Sequence, residues 1–141
     1  MAVKVQQVLE ILEQIAPPEL ACSWDNVGLL VDAGRPVTSI MTALDITADV
    51  VRDAAESGCE LIVSHHPVIF DPLKRLCPAD VPYQLVQAGI SAICMFLTQH
   101  QPLTLKEEST LKDTRYELLL VIANQGHTGT IMAVSYTHLT L

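Results

Sequence analysis

Short apolar runs alternate with amphipathic segments through the first 95 residues of the chain. Residues 4–16 carry apolar side chains three and four positions apart, which predicts a helix, and Pro17-Pro18 ends it. The apolar runs hold almost no charge, as is typical of strands buried on both faces of a sheet. These runs are Val27–Val31, Ser39–Ile46, a stretch that begins at Leu61 and stops at two histidines, and Ile90–Met95.

Two further helices are predicted between the last three strands. Thr47 is the expected N-cap of a helix over residues 48–57, and Gly58 is its expected C′ residue. The second helix is expected to start after Asp80 as its cap and to end at Gly89. The side chains expected to face inward from the first of these helices are Val50, Val51, Ala54 and Ala55.

This order of elements is βαβαβ, and it predicts the fold class. We expect an α/β fold with a mixed, largely parallel sheet, helices on its faces and right-handed crossovers. In such sheets ligands bind outside the carboxyl ends of the parallel strands. The residues that follow each strand are therefore the first place to look for chemistry.

Composition and charge narrow the range of functions that the chain can have. Half of the 141 residues are apolar and 17% are charged, which is typical of a globular domain with a core. The net charge is −8 and the basic residues form no cluster, so a nucleic-acid partner is not expected. No apolar run reaches the roughly 18 residues that span a bilayer, and no export signal is recognisable. We therefore expect a cytoplasmic protein without a membrane partner.

Four cysteines, Cys22, Cys59, Cys77 and Cys94, are widely spaced and include no C-x-x-C pair. In a cytoplasm they are expected to stay reduced. A cysteine-rich zinc site is therefore not expected.

The strongest candidate site is Ser64-His65-His66-Pro67, at the end of an uncharged run. Imidazole is the commonest protein metal ligand and suits zinc, iron, nickel and copper. Adjacent residues on a strand point to opposite faces, so His65 and His66 can share a metal centre only where the strand ends. Pro67 disfavours the helical region for His66, which helps to present its side chain.

Other polar residues allow two interpretations each. Asp45, near the end of its strand, can reach a metal or orient a histidine ligand, or it can serve the turn or cap. Trp24 is expected to pack in the core, whereas Asp25-Asn26 either form a turn or line a polar site. Lys74-Arg75 can meet an anionic substrate or lie on a solvated surface.

Three more histidines, His100, His127 and His138, are isolated and are not expected to be ligands. The chain has no glycine-rich phosphate loop, no G-x-S-x-G and no H-E-x-x-H. The histidine pair therefore carries the functional prediction.

Taken together, several of these motifs resemble one family, the GTP cyclohydrolase 1 type 2 homologs, also called the Nif-three-like proteins. The resemblance covers residues 1–95 and follows the family's order and spacing. It depends on three stretches, namely Trp24-Asp25-Asn26-Val27-Gly28-Leu29, Ala43-Leu44-Asp45-Ile46-Thr47, and Ser64-His65-His66-Pro67 with Phe70, Pro72, Leu73 and Lys74.

The resemblance implies α/β proteins that form toroidal hexamers and bind two divalent metal ions per subunit, with zinc, iron or manganese as the candidate metals. Of the family's ligands only His65 and His66 transfer to this sequence. Two such ions would activate a bridging water, which fits a ring-opening hydrolysis of a nucleotide-like substrate. A non-enzymatic metal-binding or regulatory oligomer is the alternative. Because a zinc site takes three or four protein ligands, two imidazoles alone predict weak binding by this chain.

The resemblance stops after residue 95, where the family has an H-T-N-x-D motif. We interpret residues 96–132 as a segment that is either read out of frame or irregular. The first alternative is the hypothesis here, because shifted frames of codons for residues 100–110 can spell that motif. The nucleotide sequence around these codons tests this hypothesis. Residues 133–141 resemble a translated sequencing adapter and are interpreted as a foreign tail. The expected organisation is therefore a family-like domain over 1–95, followed by these two segments.

Overall fold

The predicted strands form one mixed sheet. The computed structural model describes residues 2–95 and the backbone of residues 136–140. Its strands are β1 (Gly28–Val31), β2 (Ser39–Ala43), β3 (Leu61–Ser64), β4 (Ser91–Cys94) and β5 (Tyr136–Thr140), in the spatial order β1-β4-β3-β2-β5. β3 is parallel to both β2 and β4, whereas the outer strands β1 and β5 are antiparallel to their neighbours.

The outer strand β5 is formed by residues of the segment interpreted above as a foreign tail. It pairs with β2 from Ser39 opposite Thr140 to Ala43 opposite Tyr136. The origin of this segment stays a prediction. The proposed out-of-frame segment, residues 96–132, lies outside the described residues.

In the described part of the chain, the α-helices that accompany the sheet are α1 (Val5–Ile15), α2 (Ala48–Glu56) and α3 (Val81–Ala88), and a 3-10 turn follows α1 at Pro18–Leu20. Each α-helix lies where the sequence predicted it, within one or two residues at either end. Gly89 ends α3 in the left-handed conformation, with φ of 69°, which glycine adopts without strain. The α/β class and the βαβαβ order are confirmed.

Alternating residues of the central strands enter two separate cores. On one face Met41, Ile62 and Ala92 pack against α2 and α3. On the other face Ile40, Leu61 and Ile93 pack against α1. Because successive side chains of a strand point to opposite faces, helices cover both sides of the sheet. Both crossover helices lie on the same face, as two consecutive crossovers of one hand require.

Two packing expectations were wrong. Trp24 is 66% exposed, because it lies on a turn in which the Asp25 amide donates to the Cys22 carbonyl, outside the sheet. Ala55 is exposed, whereas Val50 and Ala54, one turn apart, lie on the buried face of α2. Ala55 is rotated about 100° from Ala54 around the helix and therefore turns out of that face.

Two boundary expectations also need correction. The strand predicted over Ser39–Ile46 ends at Ala43, so Asp45 lies in the bend beyond it. Asp80 is the N-cap residue of α3, but its carboxylate makes no bond to the helix. Instead Oδ2 of Asp80 accepts a hydrogen bond from the Cys77 amide at 2.7 Å. Asp80 therefore closes the turn that leads into the helix.

Candidate metal centre

The two histidines follow directly after β3, at the carboxyl edge of the parallel strands. The His65 amide donates to the Ala43 carbonyl at 3.2 Å, and the His66 amide donates to the Leu44 carbonyl at 3.0 Å. The backbone pairing with the β2 side therefore continues past the end of the strand. This pairing holds the amide groups of both histidines.

The carbonyl groups of the same residues are held from the other side. The Cys94 thiol donates to the His65 carbonyl at 3.3 Å, and the Ser64 hydroxyl donates to the His66 carbonyl at 2.8 Å. Burial, with the nearby Asp25 charge, raises the pKa of the Cys94 thiol to about 12. Cys94 therefore keeps its proton and remains a donor.

The two imidazole rings meet edge to face. Their centroids are 4.9 Å apart and their planes cross at 87°. The Nδ1 atom of His65 is buried, whereas the side chain of His66 is 46% exposed. The sharp turn after β3 thus brings onto one side two rings that a continuing strand would have separated.

Asp45 reaches His66 from the bend that follows β2. Its Oδ1 lies 2.7 Å from Nδ1 of His66. A carboxylate on one ring nitrogen sets the tautomer and leaves Nε2 of His66 as the nitrogen available to a ligand. Both side chains are about half exposed, so this pair orients the ring more than it stabilises the fold. Asp45 therefore lies in the turn after β2 and also contacts a histidine, so both interpretations of its role, turn residue and partner of a histidine, apply.

The described residues contain no group of three or more histidine, cysteine or acidic side chains placed to hold a metal ion. Lys74 and Arg75 line an open surface groove with Asp71 and Asp80, and neither histidine belongs to it. His100 and His127 lie outside the described residues, and His138 is described only by its backbone in β5. The donor set visible at the edge is thus His65 and His66, with Asp45 on His66.

Sequence reasoning missed one supporting residue, Cys94, and left the role of another, Asn26, open. The sequence predicts Cys94 only as a reduced thiol, although its place near the end of an uncharged run is a signal for a position at the carboxyl edge of the sheet. The Nδ2 group of Asn26 donates to the Ile69 carbonyl at 2.6 Å. The pattern could not show this contact, because it gave no direction for β1.

None of the helices in the described part of the chain has the length and apolar character needed to cross a membrane.

The fold and the site together define an α/β protein with a histidine pair at the carboxyl edge of its parallel strands. A model of the Duf34/NIF3 (NGG1p interacting factor 3) family matches residues 3–125. The chain belongs to this family, as the motifs in residues 1–95 predicted.

Individual relatives agree with this assignment. A GTP cyclohydrolase 1 type 2 homolog of Staphylococcus aureus is 46% identical over 96 residues, which is 65% of this chain and 26% of the relative. A GTP cyclohydrolase 1 type 2 of Helicobacter pylori is 43% identical over 96 residues, 64% of this chain and 39% of the relative. The crystal structure of Staphylococcus aureus hypothetical protein SA1388 superimposes with a TM-score of 0.64 at 38% identity, covering 68% of this chain and 29% of that one. The chain thus spans well under half the length of these relatives.

Proposed function

We propose that His65 and His66 bind a divalent metal ion, and that this edge of the sheet is part of a metal-dependent hydrolase site. The observation that carries the proposal is the arrangement of the rings. Two imidazoles bound to one ion through bonds of 2.0–2.1 Å place their centroids roughly 4.5–5.5 Å apart. The observed 4.9 Å falls within that range. The same spacing also suits two neighbouring ions, each held by one ring.

The surroundings of the pair support metal binding. Asp45 occupies Nδ1 of His66, as carboxylates do behind histidine ligands in metalloproteins. The His65 amide donates to the Ala43 carbonyl, and the Cys94 thiol donates to the His65 carbonyl, so both polar groups of the His65 backbone have partners. Two imidazoles are fewer than the three or four protein ligands that a zinc site takes, so the proposed site needs ligands besides those of the described residues.

The proposed chemistry is hydrolysis of a nucleotide-like small molecule. When bound, a divalent ion lowers the pKa of its water and polarises the substrate. The residues of this chain have narrower roles: His65 and His66 hold the ion, and Asp45 fixes the ring of His66. The substrate class is taken from the Helicobacter pylori relative, whose name is GTP cyclohydrolase 1 type 2. The metal is proposed to be zinc, iron or manganese, since all three accept histidine with oxygen ligands.

A second candidate function is metal binding without turnover. The incomplete donor set of the described residues favours it for this chain. A turnover assay on GTP, with and without added metal, separates the two candidates when it is run on the full-length Staphylococcus aureus relative. Metal-dependent release of product supports the hydrolase, and metal binding without product supports the second candidate.

Metal binding itself is tested on the 141-residue chain by titration with Co²⁺, whose absorption spectrum reports bound ligands. Chains carrying His65→Ala or His66→Ala are expected to bind Co²⁺ at least about tenfold more weakly than the unaltered chain. His127→Ala, which removes an imidazole that is not expected to be a ligand, serves as the control. Equal binding by all four chains would refute the proposed site.

A further inference from the structure

The antiparallel direction of β1 brings residues 24–26 to the edge where the histidines lie. In the register of the two strands Gly28 lies opposite Cys94, so the start of β1 meets the carboxyl end of β4. Cys94 in turn bonds to the His65 carbonyl. Residues 24–26, which precede β1, therefore lie at the same edge of the sheet as the residues that follow the parallel strands β3 and β4.

This segment contacts the loop after the histidines at two points. The Nδ2 group of Asn26 donates to the Ile69 carbonyl at 2.6 Å, a short bond between residues 43 positions apart. The rings of Trp24 and Phe70 lie next to each other, with centroids 6.4 Å apart and planes tilted by 48°. Residues 24–26 therefore contact two consecutive residues of the loop, Ile69 and Phe70.

Little else fixes the loop after His66. Residues 67–71 belong to no helix or strand, and their apolar side chains Val68 and Ile69 pack against the core beneath α2 and α3. Within residues 2–95, the Asn26 amide makes the one hydrogen bond that reaches this stretch. Packing alone permits sliding, whereas a directed bond to a carbonyl fixes a position.

We propose that Asn26 is a positioning residue that holds the histidine loop and thereby the mutual orientation of the two imidazoles. Ile69 lies three residues after His66, and the rigid Pro67 between them transmits the restraint to the His66 backbone. The consequence for metal binding rests on the proposed function. Loss of the amide leaves the Ile69 carbonyl without its donor and allows the loop, and with it the ring of His66, to move.

The test compares Asn26→Ala and Asn26→Leu with the unaltered 141-residue chain. Leucine keeps a side chain of similar size without a donor, so it separates the hydrogen bond from packing. The matched control is Gln84→Ala, which removes another amide-to-carbonyl bond, from Gln84 Nε2 to the Pro78 carbonyl at 3.3 Å. Two measurements are made: the NMR shifts of the His65 and His66 ring protons without metal, and the affinity for Co²⁺.

Both Asn26 variants are expected to shift the ring-proton signals, which report the edge-to-face contact, and to bind Co²⁺ about 10–100-fold more weakly. Gln84→Ala is expected to change neither. Unchanged ring signals in a folded Asn26 variant overturn the proposal, and so do shifted signals with unaltered Co²⁺ affinity. If the unaltered chain binds Co²⁺ no better than His66→Ala, the proposed function fails, and the ring signals alone decide the role of Asn26.

Discussion

Oδ1 of Asp45 lies 2.7 Å from Nδ1 of His66 although the two residues are 21 positions apart. Substituting Asp45→Ala is expected to weaken Co²⁺ binding by about 10–100-fold, because the ring of His66 loses the partner that fixes its orientation. The free energy of unfolding is expected to change little, since exposed pairs contribute little to stability. Absorption titration and urea unfolding measure the two effects.

Asp49→Ala is the control for this change. It also removes an exposed carboxylate with a charged partner, Arg52, at 2.9 Å, but on α2. If both substitutions weaken Co²⁺ binding equally, the effect is one of general charge, and the orienting role of Asp45 is excluded.

The N-cap of α2 gives a prediction about stability. Oγ1 of Thr47 accepts a hydrogen bond from the Val50 amide at 3.3 Å, which satisfies a donor in the first turn. Thr47→Ala is expected to lower the free energy of unfolding by about 1 kcal/mol. Thr47→Ser keeps the hydroxyl and is therefore expected to lose much less stability. Urea unfolding measures both. Equal losses in the two variants would show that the methyl group of Thr47 matters and its hydroxyl does not.

Glu60 predicts a dependence of stability on pH. Burial opposes ionisation of this carboxyl, but hydrogen bonds from Thr38 and Ser39, with the charge of Arg35, together lower its pKa below the ordinary value. A lowered pKa in the folded state contributes stability above the unfolded pKa of about 4.3, and this contribution is lost as the pH falls through the folded value.

Glu60→Gln is therefore expected to be less stable than the unaltered chain at pH 7, and the difference is expected to shrink as the pH falls below about 4.3. Urea unfolding at a series of pH values measures this. A difference that stays constant from pH 7 to pH 3 would rule out a role for the charge of Glu60.

Thiol reactivity tests the donor role of Cys94. With its pKa raised to about 12 by burial, and to a smaller extent by the Asp25 charge, only about one Cys94 side chain in 10,000 is ionised at pH 8. Burial likewise raises the pKa of Cys59. Iodoacetamide is expected to label the half-buried Cys22 and Cys77 first, and all four after unfolding. Rapid native labelling of Cys94, read by peptide mass spectrometry, would contradict a buried, protonated thiol.

The sequence was sufficient for much of the fold. The uncharged runs that begin at Leu61 and Ile90 predicted strands, and Thr47 and Gly89 predicted the ends of helices, because these signals act within a few residues. The pattern could not give the direction of β1 or the exposure of Trp24. Both depend on how distant segments pair and on where a turn points, which local patterns do not record.

The candidate site divides in the same way. His65 and His66 were recognisable because two adjacent imidazoles interrupt an apolar run. The sequence left two alternatives for the role of Asp45, because its contact with His66 depends on the spacing of β2 and β3. Asn26 and Cys94 support the histidine loop through backbone carbonyls, and carbonyls are invisible in a sequence because every residue has one.

The strand that precedes the histidines is four residues long, and its neighbouring side chains belong to opposite cores. A single residue inserted within Leu61–Ser64 would exchange those side chains between the cores and rotate the following imidazoles to the wrong side of the sheet. The length of β3 is therefore tied to the side of the sheet on which the histidines lie.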